Sequence, residues 1–130
     1  MNNLSKFTVF SLAFTAAACD GKDSASSECG TVHEVTTTDD TSDMDAYMNF
    51  TPEDLTISVG DCVNFVMSDT HNAIEVSQES YDSLESAAMD GGFQVQFGET
   101  VEVYFGEAGT HYYVCQPHIA MEMIGTITVQ

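Results

Sequence analysis

The sequence predicts an all-β domain, an antiparallel sandwich or barrel with one short helix. From Thr31 onward, short segments of alternating or β-branched apolar residues follow one another, and many are separated by turns that contain glycine. Only Ser80 to Met89 has helical spacing, with Leu84, Ala87 and Ala88 on one side. At 130 residues, 43% hydrophobic and 10% aromatic, the chain suits one domain with a real core and is too apolar for an acidic disordered tail.

Val32 to Thr38 is rich in β-branched residues and reads as the first strand. Met44 to Phe50 is a weaker second candidate. Leu55 to Val59 alternates with period two, and Gly60-Asp61 turns it into a strand from Cys62 to Met67. Ala73 to Val76 is short and apolar. Phe93 to Phe97 alternates cleanly, and Gly98-Glu99 leads into Val101 to Phe105. Gly109 opens Thr110 to Val114, and Ile124 to Val129 is the last strand.

Charge excludes whole classes of function. There are 21 acids against two lysines and no arginine, a formal charge of −19. A nucleic-acid binder needs a basic face to neutralise phosphates, and none can be assembled here. The same lack of positive charge argues against attraction to anionic lipid.

The first eighteen residues, MNNLSKFTVFSLAFTAAA, read as a secretory signal peptide: one lysine, an uncharged apolar run too short to span a bilayer, then small residues. The junction Ala16-Ala17-Ala18-Cys19 resembles the lipobox of bacterial lipoproteins, which implies lipidation of Cys19, although Ala16 stands where leucine is usual. Plain cleavage after Ala18 is the alternative. Residues 19–30 then form a lipidated N-terminus and a small, polar tether with a reach of about 20 Å, and residues 31–130 form the domain. Loss of Lys6 leaves Lys22 alone against all 21 acids, a balance of −20 over residues 19–130. Export places the domain in the periplasm or cell envelope, where disulfides are permitted.

The chemistry sits late in the chain. Cys115-Gln-Pro-His118-Ile-Ala-Met-Glu-Met123 puts a thiolate, an imidazole and thioethers on one loop. Two histidines and a cysteine in a plane, with a weak axial methionine, suit copper in an electron-transfer site. His71 lies in a turn at one strand end, and Cys115 leaves a strand, so the two can converge.

These segments resemble the small blue-copper proteins, the cupredoxins, and in particular their plastocyanin, pseudoazurin and halocyanin group. The resemblance runs from about Val32 to Gln130 and rests on Phe50 to Asp61, on His71-Asn72 and on Gly109 to Val129. It implies a Greek-key β-sandwich of cupredoxin type. It implies one Cu(I)/Cu(II) ion held strongly by His71, Cys115 and His118 and axially by Met123, the family spacing selecting Met123 over Met121. Asn72 resembles the asparagine that ties the two ligand loops together. Pro117 has no N–H to offer the cysteine sulfur, which points to a lower potential. Ile119, Ala120 and Met121 are candidates for the docking patch around His118. Val114 stands where plastocyanins have tyrosine. Cys29 and Cys62 can form a disulfide, a pairing that spacing alone leaves open.

The implied function is not enzymatic. It is that of a monomeric electron carrier, on a membrane through its N-terminal lipid, between redox proteins such as a cytochrome or terminal reductase in a respiratory or photosynthetic chain. A copper storage or delivery protein is the alternative, kept open by Met44 and Met48. His33 and His111 read as structural or exposed. Acids spread from Asp20 to Glu122 fit a salty medium, where screening removes self-repulsion, or steering of a cationic partner.

Overall fold

A computed structural model of the protein describes residues 29–130. The leader, Cys19 and the tether through Glu28 lie outside the described residues. Among the described residues eight strands form two sheets. β1 (Val32–Thr36), β3 (Asp61–Val66) and β6 (Thr100–Phe105) make a three-stranded sheet with β3 central. β2 (Asp54–Ile57), β8 (Ile124–Val129), β7 (Gly109–Val114), β4 (Ala73–Val76) and β5 (Gln94–Val95) lie side by side in the other.

The sandwich is not purely antiparallel. β1 runs parallel to β3 and β2 parallel to β8. The chain crosses from the first sheet to the second for β2 and back again for β3, so β3 returns in the direction of β1. Period-two alternation records which face a residue takes and carries no information about strand direction.

Two sequence expectations are corrected. Met44 to Phe50 is not a strand: α1 (Met44–Tyr47) is a single helical turn. The Asp43 side chain accepts the Ala46 N–H and so caps it. No residue of α1 is buried, so its side chains do not show the alternation of a strand packed on a core. The predicted helix at Ser80 to Met89 is α2 (Gln78–Asp82), earlier and shorter. Ser77 caps its start, and Leu84 takes a left-handed conformation just past its end. A 3-10 turn, Gln116–Met121, is a third helical segment, and of the run Phe93 to Phe97 only β5 is paired as a strand.

The inner faces meet in a core where Val35, Phe65 and Phe105 face Tyr113, Ile127 and Val129. The Phe65 and Tyr113 rings cross edge to face at 5.5 Å, linking the sheets. Each such side chain contributes on the order of 2 kcal/mol of burial. Tyr113 leaves no room for a side chain at Gly125, whose added Cβ would overlap the phenol.

The start of the domain is pinned twice. Cys29 and Cys62 form a disulfide with Cα atoms 5.4 Å apart. Asp61 gathers the turn before β3: it accepts the Thr31 N–H at 2.9 Å, the Ser58 N–H at 3.1 Å and His33 Nε2 at 2.9 Å. Gly60, at φ 91°, makes that turn possible. The bond to His33, then those to the backbone, hold the Asp61 carboxyl below its ordinary value.

A depressed carboxyl stabilises the fold above its unfolded pKa of about 4 and loses that contribution as pH falls through the lower, folded value. Asp61→Asn is therefore expected to melt at a lower temperature than wild type at pH 7, with the gap shrinking below about pH 4. A gap independent of pH in calorimetric scans would show that the charge is not what matters.

Candidate metal centre

One pairing in the second sheet determines where the site forms. β4 and β7 are antiparallel, with Ile74 opposite Val114. Three residues before Ile74 is His71, and one after Val114 is Cys115, so both emerge at the same end of the sandwich. Cys115 then enters the 3-10 turn, with Pro117 near its start, where a missing N–H costs nothing. The turn carries His118 and ends at Glu122, in the left-handed region at φ 60°. The loop is closed at its neck by the Cys115 N–H bonded to the Met123 carbonyl at 2.9 Å.

The sulfur of Cys115 lies 3.6 Å from Nδ1 of His71 and 3.4 Å from Nδ1 of His118. The three donor atoms all fall within 4.8 Å of one another. Cys115, His71 and Met123 are fully buried and His118 is partly exposed. Nε2 of His71 lies 3.1 Å from the Thr38 carbonyl. A carbonyl only accepts, so this bond puts the proton on Nε2 and leaves the Nδ1 lone pair turned toward the sulfur.

Burial pushes the Cys115 thiol up, while the backbone N–H groups of Asn72 and His118 pull it down. Pro117 offers no N–H, and the N–H of the next residue, His118, donates to the Cys115 carbonyl at 3.2 Å. His71 is pushed down, first by burial and then by His118. Both shifts favour neutral side chains in the metal-free protein, and metal binding would release the thiol proton.

Asn72 joins the loops through Gln116. Its Oδ1 accepts the Gln116 N–H at 2.9 Å, and its Nδ2 donates to Gln116 Oε1 at 3.0 Å. Gln116 in turn donates to the Ser86 carbonyl at 2.9 Å. The other side of the His71 loop is braced by Asp39, which accepts the N–H groups of Asp69 and Thr70 and the Thr70 hydroxyl at 2.6 Å. The Thr70 hydroxyl is the main reason the Asp39 carboxyl falls to about 2.

Sequence reasoning passed over Gln116, Thr38, Asp39 and Tyr47. The Tyr47 ring stands edge-on to His71 at 4.9 Å and to His118 at 5.6 Å. The only local signal for it was Asp43, a helix cap ahead of the residue. His33 and His111 are not at this centre: His33 pairs with Asp61 and His111 with Glu75 at 2.6 Å. Met121 is 60% exposed, with Ala120 exposed and Ile119 half-buried beside it.

Known proteins resemble this chain in sequence and in fold. Residues 34–130 match the family described as copper binding proteins, plastocyanin/azurin family. The chain belongs to that family. It is 35% identical over 83 residues to plastocyanin from Prochlorothrix hollandica, covering 62% of this chain and 63% of that one. It is 34% identical over 87 residues to chloroplastic plastocyanin from Chlamydomonas reinhardtii, covering 64% of this chain and 59% of that one. The chain thus spans less than two thirds of the length of both relatives. Pseudoazurin from Hyphomicrobium denitrificans superposes with a TM-score of 0.56 at 26% identity, over 75% of this chain and 74% of that one. The fold is therefore the cupredoxin fold, and copper is its metal: a thiolate, two imidazole Nδ1 atoms and a buried thioether suit both Cu(I) and Cu(II).

Asn72→Ala removes both bonds to Gln116 from a fully buried position. Urea unfolding of the metal-free protein is expected to show a loss of about 2–3 kcal/mol. A loss near zero would show that the loops hold together without this clasp.

Proposed function

We propose that this cupredoxin is a type 1 (blue) copper protein that carries single electrons between redox proteins, and is not an enzyme. The observation that carries the proposal is the convergence of His71 Nδ1, His118 Nδ1 and Cys115 Sγ at the end of a rigid sandwich, with Met123 buried at the neck of the same loop. Bound copper supplies the Cu(I)/Cu(II) couple. His71, Cys115 and His118 would hold it through their imidazole nitrogens and thiolate, and Met123 would add its thioether. The protein holds the donors where neither oxidation state has to move them, so little reorganisation opposes transfer. His118 is the partly exposed ligand, and Ile119, Ala120 and Met121 form the apolar rim on which a partner such as a cytochrome or terminal reductase docks.

Storage or delivery of copper fits less well, because the donors are enclosed and cross-braced, and a metal held that way is hard to hand over. The export reading is supported by the Cys29–Cys62 disulfide, which belongs in an oxidising compartment. Residues 1–18 would be removed there and Cys19 lipidated, leaving the domain on a tether at the cell envelope, acting as a monomer. Among the described residues no helix is long and apolar enough to cross a membrane.

Two measurements test this. Adding Cu(II) is expected to produce an intense visible absorption from the copper–thiolate bond, with reversible one-electron reduction, both lost in Cys115→Ser. A colourless copper complex would sink the electron-carrier reading. Mass spectrometry of the membrane fraction is expected to find a diacylglyceryl-modified N-terminus at Cys19, and an unmodified cysteine there would reject the anchor.

A further inference from the structure

Between β1 and β2 the chain makes an excursion, residues 37–50, whose neck is closed by a two-bond bridge between Thr36 and Thr51 at 3.0 Å each way. Its first arm clamps the His71 loop through the Thr38 carbonyl and the Asp39 carboxylate. Its second arm carries α1. That helix is one turn long, contributes no buried side chain and is held by its own polar residues: the Asp43 cap and Asn49 Nδ2 bonded to the Asp45 carbonyl at 2.7 Å. A helix that adds nothing to the core needs another reason for its placement. Its one ring supplies it, because Tyr47 meets both ligand imidazoles edge-on, at interplanar angles of 65° and 69°. Among the described residues no other aromatic side chain contacts either imidazole ring.

We propose that Tyr47 is a positioning residue that closes the copper centre on its histidine side. The flat ring fills the angle between the two imidazoles, which themselves lie 4.7 Å apart and tilted by 49°. It thereby holds both rings in the orientation that turns their Nδ1 atoms to the sulfur, and it denies water and small anions a further coordination position. The bulk and flatness of the ring matter here, and the hydroxyl does not. The proposal rests on the copper–thiolate reading above.

The test compares full-length wild type, Tyr47→Phe, Tyr47→Leu and Tyr47→Ala, each loaded with Cu(II) and titrated with sodium azide. Visible absorption, EPR and the relaxation rate of solvent water protons are followed. In Tyr47→Ala azide is expected to bleach the thiolate band, widen the copper hyperfine splitting and, before azide is added, speed water relaxation. Wild type and Tyr47→Phe stay unchanged in all three. Tyr47→Leu responds between them and supplies the readout if Tyr47→Ala does not fold. A blue Tyr47→Ala that behaves like wild type, or a Tyr47→Phe as open as Tyr47→Ala, overturns the inference alone. A colourless wild type overturns the copper–thiolate reading and this inference with it.

Discussion

The metal centre depends on the register of β4 against β7. With Ile74 opposite Val114, the residues just beyond each strand end, His71 and Cys115, are brought within bonding distance of one ion. A slip of one residue would turn the inward side chains of β7 outward, Tyr113 among them, and would carry Cys115, just past the strand, along with them. The core therefore enforces the chemistry. Tyr113 meets Phe50 at 4.7 Å and Phe65 at 5.5 Å, and any register that freed Cys115 would also have to expose that ring.

Register brings the loops together, and polar clamps then hold them still. Each clamp uses a group that the strands leave unsatisfied: the Gln116 N–H, the N–H groups of Asp69 and Thr70, the Thr38 carbonyl. The backbone hydrogen-bonding groups of three loops are thus satisfied by side chains from other loops, which is how irregular chain next to a core avoids unpaired polar groups. The same bonds orient the ligands, because His71 can donate to Thr38 only when its other nitrogen faces inward. Structural satisfaction and ligand orientation are here one set of contacts.

The sequence made the strands and the ligands legible for the same reason: both are written in local spacing. Alternation placed β3, β6, β7 and β8 within a residue or two of their ends. The spacing of Cys115, His118 and Met123 on one loop, together with His71 and the likeness to cupredoxins, pointed to the centre. What could not be read was relational. The parallel pairing of β1 with β3 depends on a crossing between sheets that no residue type signals. Tyr47 reaches the histidines across more than twenty residues of sequence, and its segment looked like a poor strand because its apolar residues follow neither a strand nor a buried helix. Gln116 was overlooked as the residue next to a ligand, though its side chain ties Asn72 to Ser86.

The disulfide gives the domain a direction. Cys62 is the second residue of β3, and the His71 loop follows the other end of that strand, which ends at Val66 about 13 Å away. Any load on the chain upstream of Cys29 is delivered through the Cys29–Cys62 bond to the end remote from the ligands. A pull there runs along β3 and is shared with β1 and β6 through their ladders before it reaches a loop that holds metal. A pull from upstream of Cys29 would thus be taken up by the sheet before it reached the loops that carry His71, Cys115 and His118.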